Sequence, residues 1–432
     1  MAALVPALVA GLAIFGGYTY GPSIKRTSTV IGWSRTINNT QVAAGDITFI
    51  GDTVHCEDIH HHVPSGLLFT ACEDDPEARK HWFPPLGTMN DPVRAKEFQG
   101  SIHIIDPKDM TTKRLKFENF ETTFITHGID VITDPENPEA VYVFAVNHVP
   151  HPDFVASRLA HQSDDKVTHK AQSQIEIFHH VLGSPTARHV RSVRHPLIKT
   201  PNDIYASDPR TFYVTNDHGY REGFFRLLED LWPGATWTDT IQIRIDDLSA
   251  GPTESFVANV AHSGMRNNNG LGHYGDKILI DDCSAGIMHI GQLPSSPENS
   301  SIKILDSIYF DSPIDNPSWF EDPYRSETYD ASGFVLPGLA NVIELGKNIA
   351  DPSSNLSSIV WYAKPIPNCK SSEKGACWEK RALFEDDGRR ISSAAGAVLV
   401  AIDPAKENGQ RKAWLFIGGF WGKSIVAVKV DL

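Results

Sequence analysis

The chain has 432 residues, 41% of them hydrophobic, and a formal net charge of −14. That apolar content is enough to bury a large core and argues against disorder, and an all-β chain of this length can fold as one unit. The negative balance leaves no basic stripe to neutralise phosphates, which argues against a nucleic-acid partner; an acidic surface suits a cation, although by itself it means only solubility.

Residues 1–24, MAALVPALVAGLAIFGGYTYGPSI, carry no charged side chain. Their apolar centre, Ala2–Phe15, is short for a spanning helix and reads as a secretory h-region or a signal anchor. No clear small-residue cleavage site precedes Tyr18, so retention and membrane association through this segment are expected. Lys25-Arg26 would pull the following chain to the cytosol. Opposing them are the glycosylation acceptor patterns at Asn38, Asn299 and Asn355. The pair Cys369 and Cys377, around a short polar loop, suits a local disulfide in an oxidising compartment. A luminal or extracellular placement is expected, as a secreted or anchored glycoprotein. Cys56, Cys72 and Cys283 leave at least one thiol unpaired, and no CxxC pair suggests structural zinc. Residues 25–44 read as a linker and residues 45–432 as one domain.

Within that domain, long amphipathic helix patterns are scarce. β-Branched and aromatic runs recur at Ile47–Ile50, Leu67–Thr70, Ile102–Ile105, Ala140–Val146, Ile175–His179, Phe212–Thr215, Lys277–Ile280, Ile359–Ala363, Ala397–Ile402, Trp414–Ile417 and Ser424–Val430. Turn clusters such as 134–138, Asp208-Pro209, 295–297 and Asp403-Pro404 separate them. Short strands punctuated by Gly, Pro and Asp predict a sandwich, barrel or propeller. The clear helical candidate is Glu222–Leu231.

A weak internal repeat chooses among these folds. Cys56–Ile59, Thr126–Ile129, Pro201–Ile204 and Asn268–Leu271 each place polar or small residues before Ile or Leu, a turn and a buried strand. Recurrence roughly every 60 to 75 residues fits a propeller blade with generous loops. Inner strands of a propeller start near the axis, so these polar residues converge on one channel. Asn and Asp oxygens gathered there suit a hard cation such as Ca2+.

These residues resemble a known family. Glu57-Asp58, His127-Gly128-Ile129, Val146-Asn147-His148, Arg194-His195, Asn202-Asp203-Ile204, Phe212-Tyr213, Thr215–His218, Asn269-Gly270 and Asp315-Asn316 stand in the order and approximate spacing of the serum paraoxonase/arylesterase family, from about residue 45 to the end. The resemblance implies an all-β, six-bladed β-propeller whose central tunnel holds two Ca2+ ions, and a hydrolase of lactones and aryl esters. It assigns Glu57, Asn202, Asn269, Asp315 and Asn316 to a catalytic ion, and Asp58, the backbone carbonyl of Ile129 and Asp203 to a structural one. Adjacent strand residues point to opposite sides, so Glu57-Asp58 and Asn202-Asp203 can each serve both ions. The family's histidine dyad falls on His127 and His148, with His127 as general base. Asp217 and His218 are further candidates for the tunnel wall, whereas His60-His61-His62 reads as a loop or surface tract.

The chain also departs from the family. Ser332–Gly338 lacks the histidine usual in that loop, and Val426–Leu432 has no cysteine to tie the termini, leaving ring closure to strand pairing. The insertion Ser318–Tyr329 and the loop Val149–Gln174 are expected to reshape the tunnel mouth. Tyr220, Phe224, Phe225, Trp232 and Trp237 supply either an apolar rim for a small hydrophobic lactone or ester, or packing for the inserted helix. Alternative readings are a strictosidine-synthase-like or gluconolactonase-like propeller, and a non-enzymatic, metal-stabilised binding propeller.

Overall fold

Apolar side chains alternating along short strands give each sheet two faces to bury, and stacking such sheets around an axis buries both. The computed structural model describes residues 21, 23–163, 167–232, 234–295 and 299–432. The expected signal or anchor segment lies almost wholly outside them. Among the described residues no helix is long and apolar enough to cross a membrane.

Six sheets of four or five strands form the blades, and every apolar run named above lies in a strand but for the end residues Ile402 and Ser424. Their inner strands are Cys56–His62, Thr126–Asp134, Pro201–Asp208, Asn268–Tyr274, Ser318–Phe320 and Ala394–Ala401. Each contacts the next, and the last contacts the first. Blades run antiparallel from the axis outward, except that Lys116–Glu118 joins blade 2 in parallel against Thr186–Val193. The core lies between blades. Phe144, Ile175 and Ile177 of blade 2, for example, pack against Ile204, Val214 and Ile241 of blade 3. Each such buried side chain is worth about 1.5–3 kcal/mol relative to exposure.

The ring closes without a cysteine, as expected. Ile47–Ile50 forms the outer strand of blade 6 and pairs antiparallel with Ile425–Asp431, Ile47 opposite Val428 and Ile50 opposite Ile425. Residues 25–44, read as a linker, are held against the propeller: Arg26 donates to the carbonyls of Ala285, Gly286 and Phe310, and the amide of Val342 donates to Ile31.

The inner strands all start at one end of the tunnel, termed here the upper end. Over it lie residues 73–100, 149–163, 167–173, 217–232 and 234–237 of the connections. They carry helix α1, Pro152–Leu159, and helix α2, Phe224–Leu231, the latter where the sequence predicts it. Helix α2 is turned unusually. Its buried face is polar, with Arg226 donating to the Pro85 carbonyl and Glu229 accepting from the amides of Gly219 and Tyr220. Phe224, Leu227 and Leu231 face outward, while Phe225, Tyr220, Trp232 and Trp237 contact one another as a cluster.

The insertion Ser318–Tyr329 corrects its expectation. Its first residues are the inner strand of blade 5, so the turn that follows lies at the lower end, where the Tyr329 hydroxyl donates to the Leu432 carbonyl. It cannot shape the upper mouth. Disulfides join Cys369 to Cys377, as expected, and Cys56 to Cys72 across neighbouring strands of blade 1, leaving Cys283 free. Asn38, Asn299 and Asn355 are all exposed.

Candidate active site

Strict strand alternation does not place the polar pairs. Ladder register shifts occur between Cys56 and Ile59, between Pro201 and Ile204, and between Asn268 and Leu271; in blade 2 the shift falls opposite residues 126–129. A bulge inserts an unpaired residue and re-aims side chains, here at Glu57-Asp58, Asn202-Asp203, Asn269-Gly270 and His127-Gly128. Two of the glycines are required by close approach. A Cβ on Gly270 would lie 2.4 Å from the Asn316 amide nitrogen, and one on Gly128 would lie 2.4 Å from Asp203 Oδ1.

At the upper end the predicted ligands come together. Asn202, Asn269 and Asp315 line one cavity of about 140 Å³ with His127, Asp217 and His218. Glu57 is buried beside it and accepts at Oε1 from Asn316 Nδ2 at 3.0 Å. Four oxygens are then left buried with no donor: Glu57 Oε2, Asn202 Oδ1, Asn269 Oδ1 and Asn316 Oδ1. Such groups cost about 1–3 kcal/mol each when unsatisfied. Burial first, then the Asp315 and Asp58 charges, hold the Glu57 carboxyl well above the usual range; burial likewise raises Asp315 to about 8. Hard, oxygen-only donors short of positive charge fit a divalent cation such as Ca2+.

The histidine pair is also in place. His148 Nε2 lies 3.3 Å from His127 Nδ1, and His148 Nδ1 lies 2.9 Å from Ser173 Oγ. His127 Nε2 faces Glu57 Oε1 at 3.8 Å. Burial, then His148 and Arg79, depress His127 well below its ordinary pKa; burial brings His148 to about 3. Both rings are therefore neutral at neutral pH. Asp217, 3.0 Å from His218 Nδ1, stays ionised: burial opposes this, but His218 brings it down to about 2.

Some groups near the site carry no sequence signal. Arg79, in the short helix Ala78–His81, is buried and stacks its guanidinium 4.0 Å over Phe83, whose ring edge meets His127 at 5.2 Å. Buried Glu73 has both carboxyl oxygens without donors, and burial takes it to about 8. Asp281, on the second strand of blade 4, is likewise buried with both oxygens unpartnered, and burial and Asp315 raise it well above the carboxylate range.

The residues expected to hold a structural ion behave differently. Asp58 Oδ1 accepts from the Ile59 amide, and its Oδ2 accepts from the Ile129 amide at 3.1 Å and from His60 Nε2 at 2.9 Å. Asp203 accepts from the amides of Ile204 at 2.7 Å and Leu271 at 2.6 Å. No oxygen of Asp58 or Asp203 lacks a donor, and it is the amide of Ile129 that points at Asp58. Burial and the Asp58 charge raise Asp203. His60 is thus not a surface residue: burial lowers it, but Asp58 and Asp130 outweigh that and bring it to about 9.

The sequence profile of the Arylesterase family matches residues 95–244. Serum paraoxonase/arylesterase 1 of Mus musculus is 26% identical over 197 residues, 45% of this chain and 45% of its own. Serum paraoxonase/lactonase 3 of Oryctolagus cuniculus is 27% identical over 253 residues, 57% of this chain and 59% of its own. The chain thus spans about half the length of the curated relatives it matches. Among solved structures, the PQQ-bound aldose sugar dehydrogenase of Streptomyces coelicolor covers 89% of this chain and 97% of its own at 11% identity, with a TM-score of 0.42, too loose a likeness to bear on activity. Taken with the ordered pairs along the inner strands, these matches make the chain similar to, and divergent from, the paraoxonase/arylesterase family.

Proposed function

We propose that this protein is a Ca2+-dependent hydrolase of lactones and aryl esters. The observation that carries the reading is the set of four buried side-chain oxygens, drawn from blades 1, 3 and 4 and the approach to blade 5, that find no donor within the chain. Glu57, Asn202, Asn269, Asp315 and Asn316 would hold the ion. Bound there, Ca2+ supplies Lewis-acid stabilisation of the negative charge that develops on an ester carbonyl during hydrolysis.

The chain's own residues complete the chemistry. His148 Nδ1 beside Ser173 Oγ and His148 Nε2 beside His127 Nδ1 make a chain in which each ring donates one proton onward. That tautomer leaves the His127 Nε2 lone pair free, and as a neutral imidazole it can accept a proton from an attacking water. Asp217, ionised on the cavity wall, is placed to stabilise the imidazolium that results. Phe83, Leu86, Leu339 and Phe420 give the cavity an apolar wall suited to a small hydrophobic lactone or aryl ester. Two disulfides are at home in an oxidising compartment, which supports placement in the secretory pathway, with the N-terminal segment as a membrane attachment.

The test is turnover of aliphatic lactones and aryl esters by purified protein before and after chelation, with Ca2+ then restored. Activity should vanish and return, and Asn269→Ala should lower kcat/KM by on the order of a hundredfold or more while still folding. A folded, Ca2+-loaded protein inert on the whole panel would sink the reading and favour a binding propeller.

A further inference from the structure

The lower end of the tunnel answers its own charge. Asp58 and Asp203 come from the inner strands of blades 1 and 3, on either side of blade 2, and their mutual repulsion is what a second divalent ion would relieve. In this chain a side chain stands there already. His60, two residues along the strand from Asp58, places Nε2 at 2.9 Å from Asp58 Oδ2 and Nδ1 at 3.3 Å from Asp130 Oδ1. Nε2 is hydrogen-bonded to Asp58 and Nδ1 is within ion-pair distance of Asp130, so the imidazole stands between the two carboxylates. Asp130 is fully buried and is held in turn by the amides of Val131 and Ala206 and by His273 Nε2 at 2.8 Å. His273 stacks on Tyr205 with ring centroids 4.1 Å apart and is partly exposed at the lower opening. The row Asp58, His60, Asp130, His273 therefore alternates carboxylate and imidazole from the tunnel centre towards solvent. None of the oxygens of Asp58, Asp130 or Asp203 is among the buried atoms left without a partner, in contrast to the four at the upper end.

We propose that the His60 side chain fills the position of the second metal ion, so that Asp58, Ile129 and Asp203 hold no divalent cation and the protein binds one Ca2+ per chain instead of two. The inference rests on the proposed upper ion only for the count of one; the claim about the lower position stands apart from it.

The experiment is equilibrium dialysis against radioactive Ca2+ to saturation, with folding checked by circular dichroism, for the wild type, the Asn202→Ala/Asn269→Ala double variant and His60→Ala. One equivalent in the wild type and none in the double variant is the expected result. A second equivalent in the wild type, or one retained by the double variant, overturns the proposal. His60→Ala should gain one equivalent over the wild type, and a folded His60→Ala that gains none overturns the claim that the imidazole is what fills the position. A wild type that binds none defeats the upper-site reading alone. The lower proposal is then decided by His60→Ala, supported by a gained equivalent and overturned by its absence.

Discussion

The two ends of the tunnel are built from the same strands and the same kinds of residue, yet they close their hydrogen bonding in opposite ways. At the upper end, the candidate ligands from blades 1, 3 and 4 and the approach to blade 5 leave four of their oxygens with nothing to accept from. Only one residue further along from Glu57 and Asn202, Asp58 and Asp203, with Asp130 of blade 2, are met by backbone amides and by two histidines. Buried polar groups are normally satisfied, so an end that is not satisfied is waiting for something from outside the chain, while an end that is satisfied serves the fold. Acidic residues beside a propeller axis are therefore not of one kind: their donors, more than their identity, tell binding from support.

The largest effect should come from breaking the satisfied end. Asp130→Ala strands the His60 cation and removes the acceptor of two backbone amides, and removing one partner of a buried ion pair costs about 3–5 kcal/mol. Urea unfolding should show that loss while Ca2+ affinity stays within a few-fold, whereas equal loss of both would merge the two ends into one unit. Next comes the backbone contact that joins blades 4 and 5 at the upper end. A methyl group at Gly270 must push against the Asn316 backbone, and overpacking of this kind costs roughly 1–3 kcal/mol. Gly270→Ala should weaken Ca2+ binding more than it lowers stability in chelator, measured by the change in Tm with and without the ion.

The effect that is smallest at neutral pH concerns acid. His148 has a folded-state pKa of about 3, below the ordinary 6.5, because it is buried. The unfolded chain then binds a proton that the folded one refuses, so stability is full above pH 6.5 and falls as pH drops towards 3. The slope is about 1.4 kcal/mol per pH unit once well below 6.5. His148→Gln should flatten that slope in unfolding experiments between pH 6 and 4. An unchanged slope would move the acid sensitivity away from the upper end.

Much of this arrangement was legible in the residues. Runs such as Leu67–Thr70 and Ala140–Val146 have the composition and punctuation of strands, and they became strands. The ordered pairs Glu57-Asp58, Asn202-Asp203 and Asn269-Gly270 marked the tunnel because each stands at the head of an inner strand. Period-two alternation, however, says nothing of a bulge, and it is the register shifts at those pairs that settle where the side chains point. His60 was misjudged for a related reason. Its partner Asp130 lies 70 positions away on the next blade, and local sequence holds no record of such a meeting. The same limit hid Arg79 and Glu73. Ser318–Tyr329 was assigned to the wrong end because an insertion reads alike whether it follows an inner strand or precedes one.

Pairing of Ile47–Ile50 with Ile425–Asp431 has a consequence for how the protein is made. A ribosome delivers the first of these strands long before the second, so blade 6 stays incomplete until Ile425–Asp431 has emerged. Glu57 lies near the start of Cys56–His62, the strand that follows Ile47–Ile50, so its position relative to blades 4 and 5 is settled last. A nascent chain still lacking Ile425–Asp431 should have little grip on the ion proposed for the upper end, so capture of that ion would report that the ring has closed.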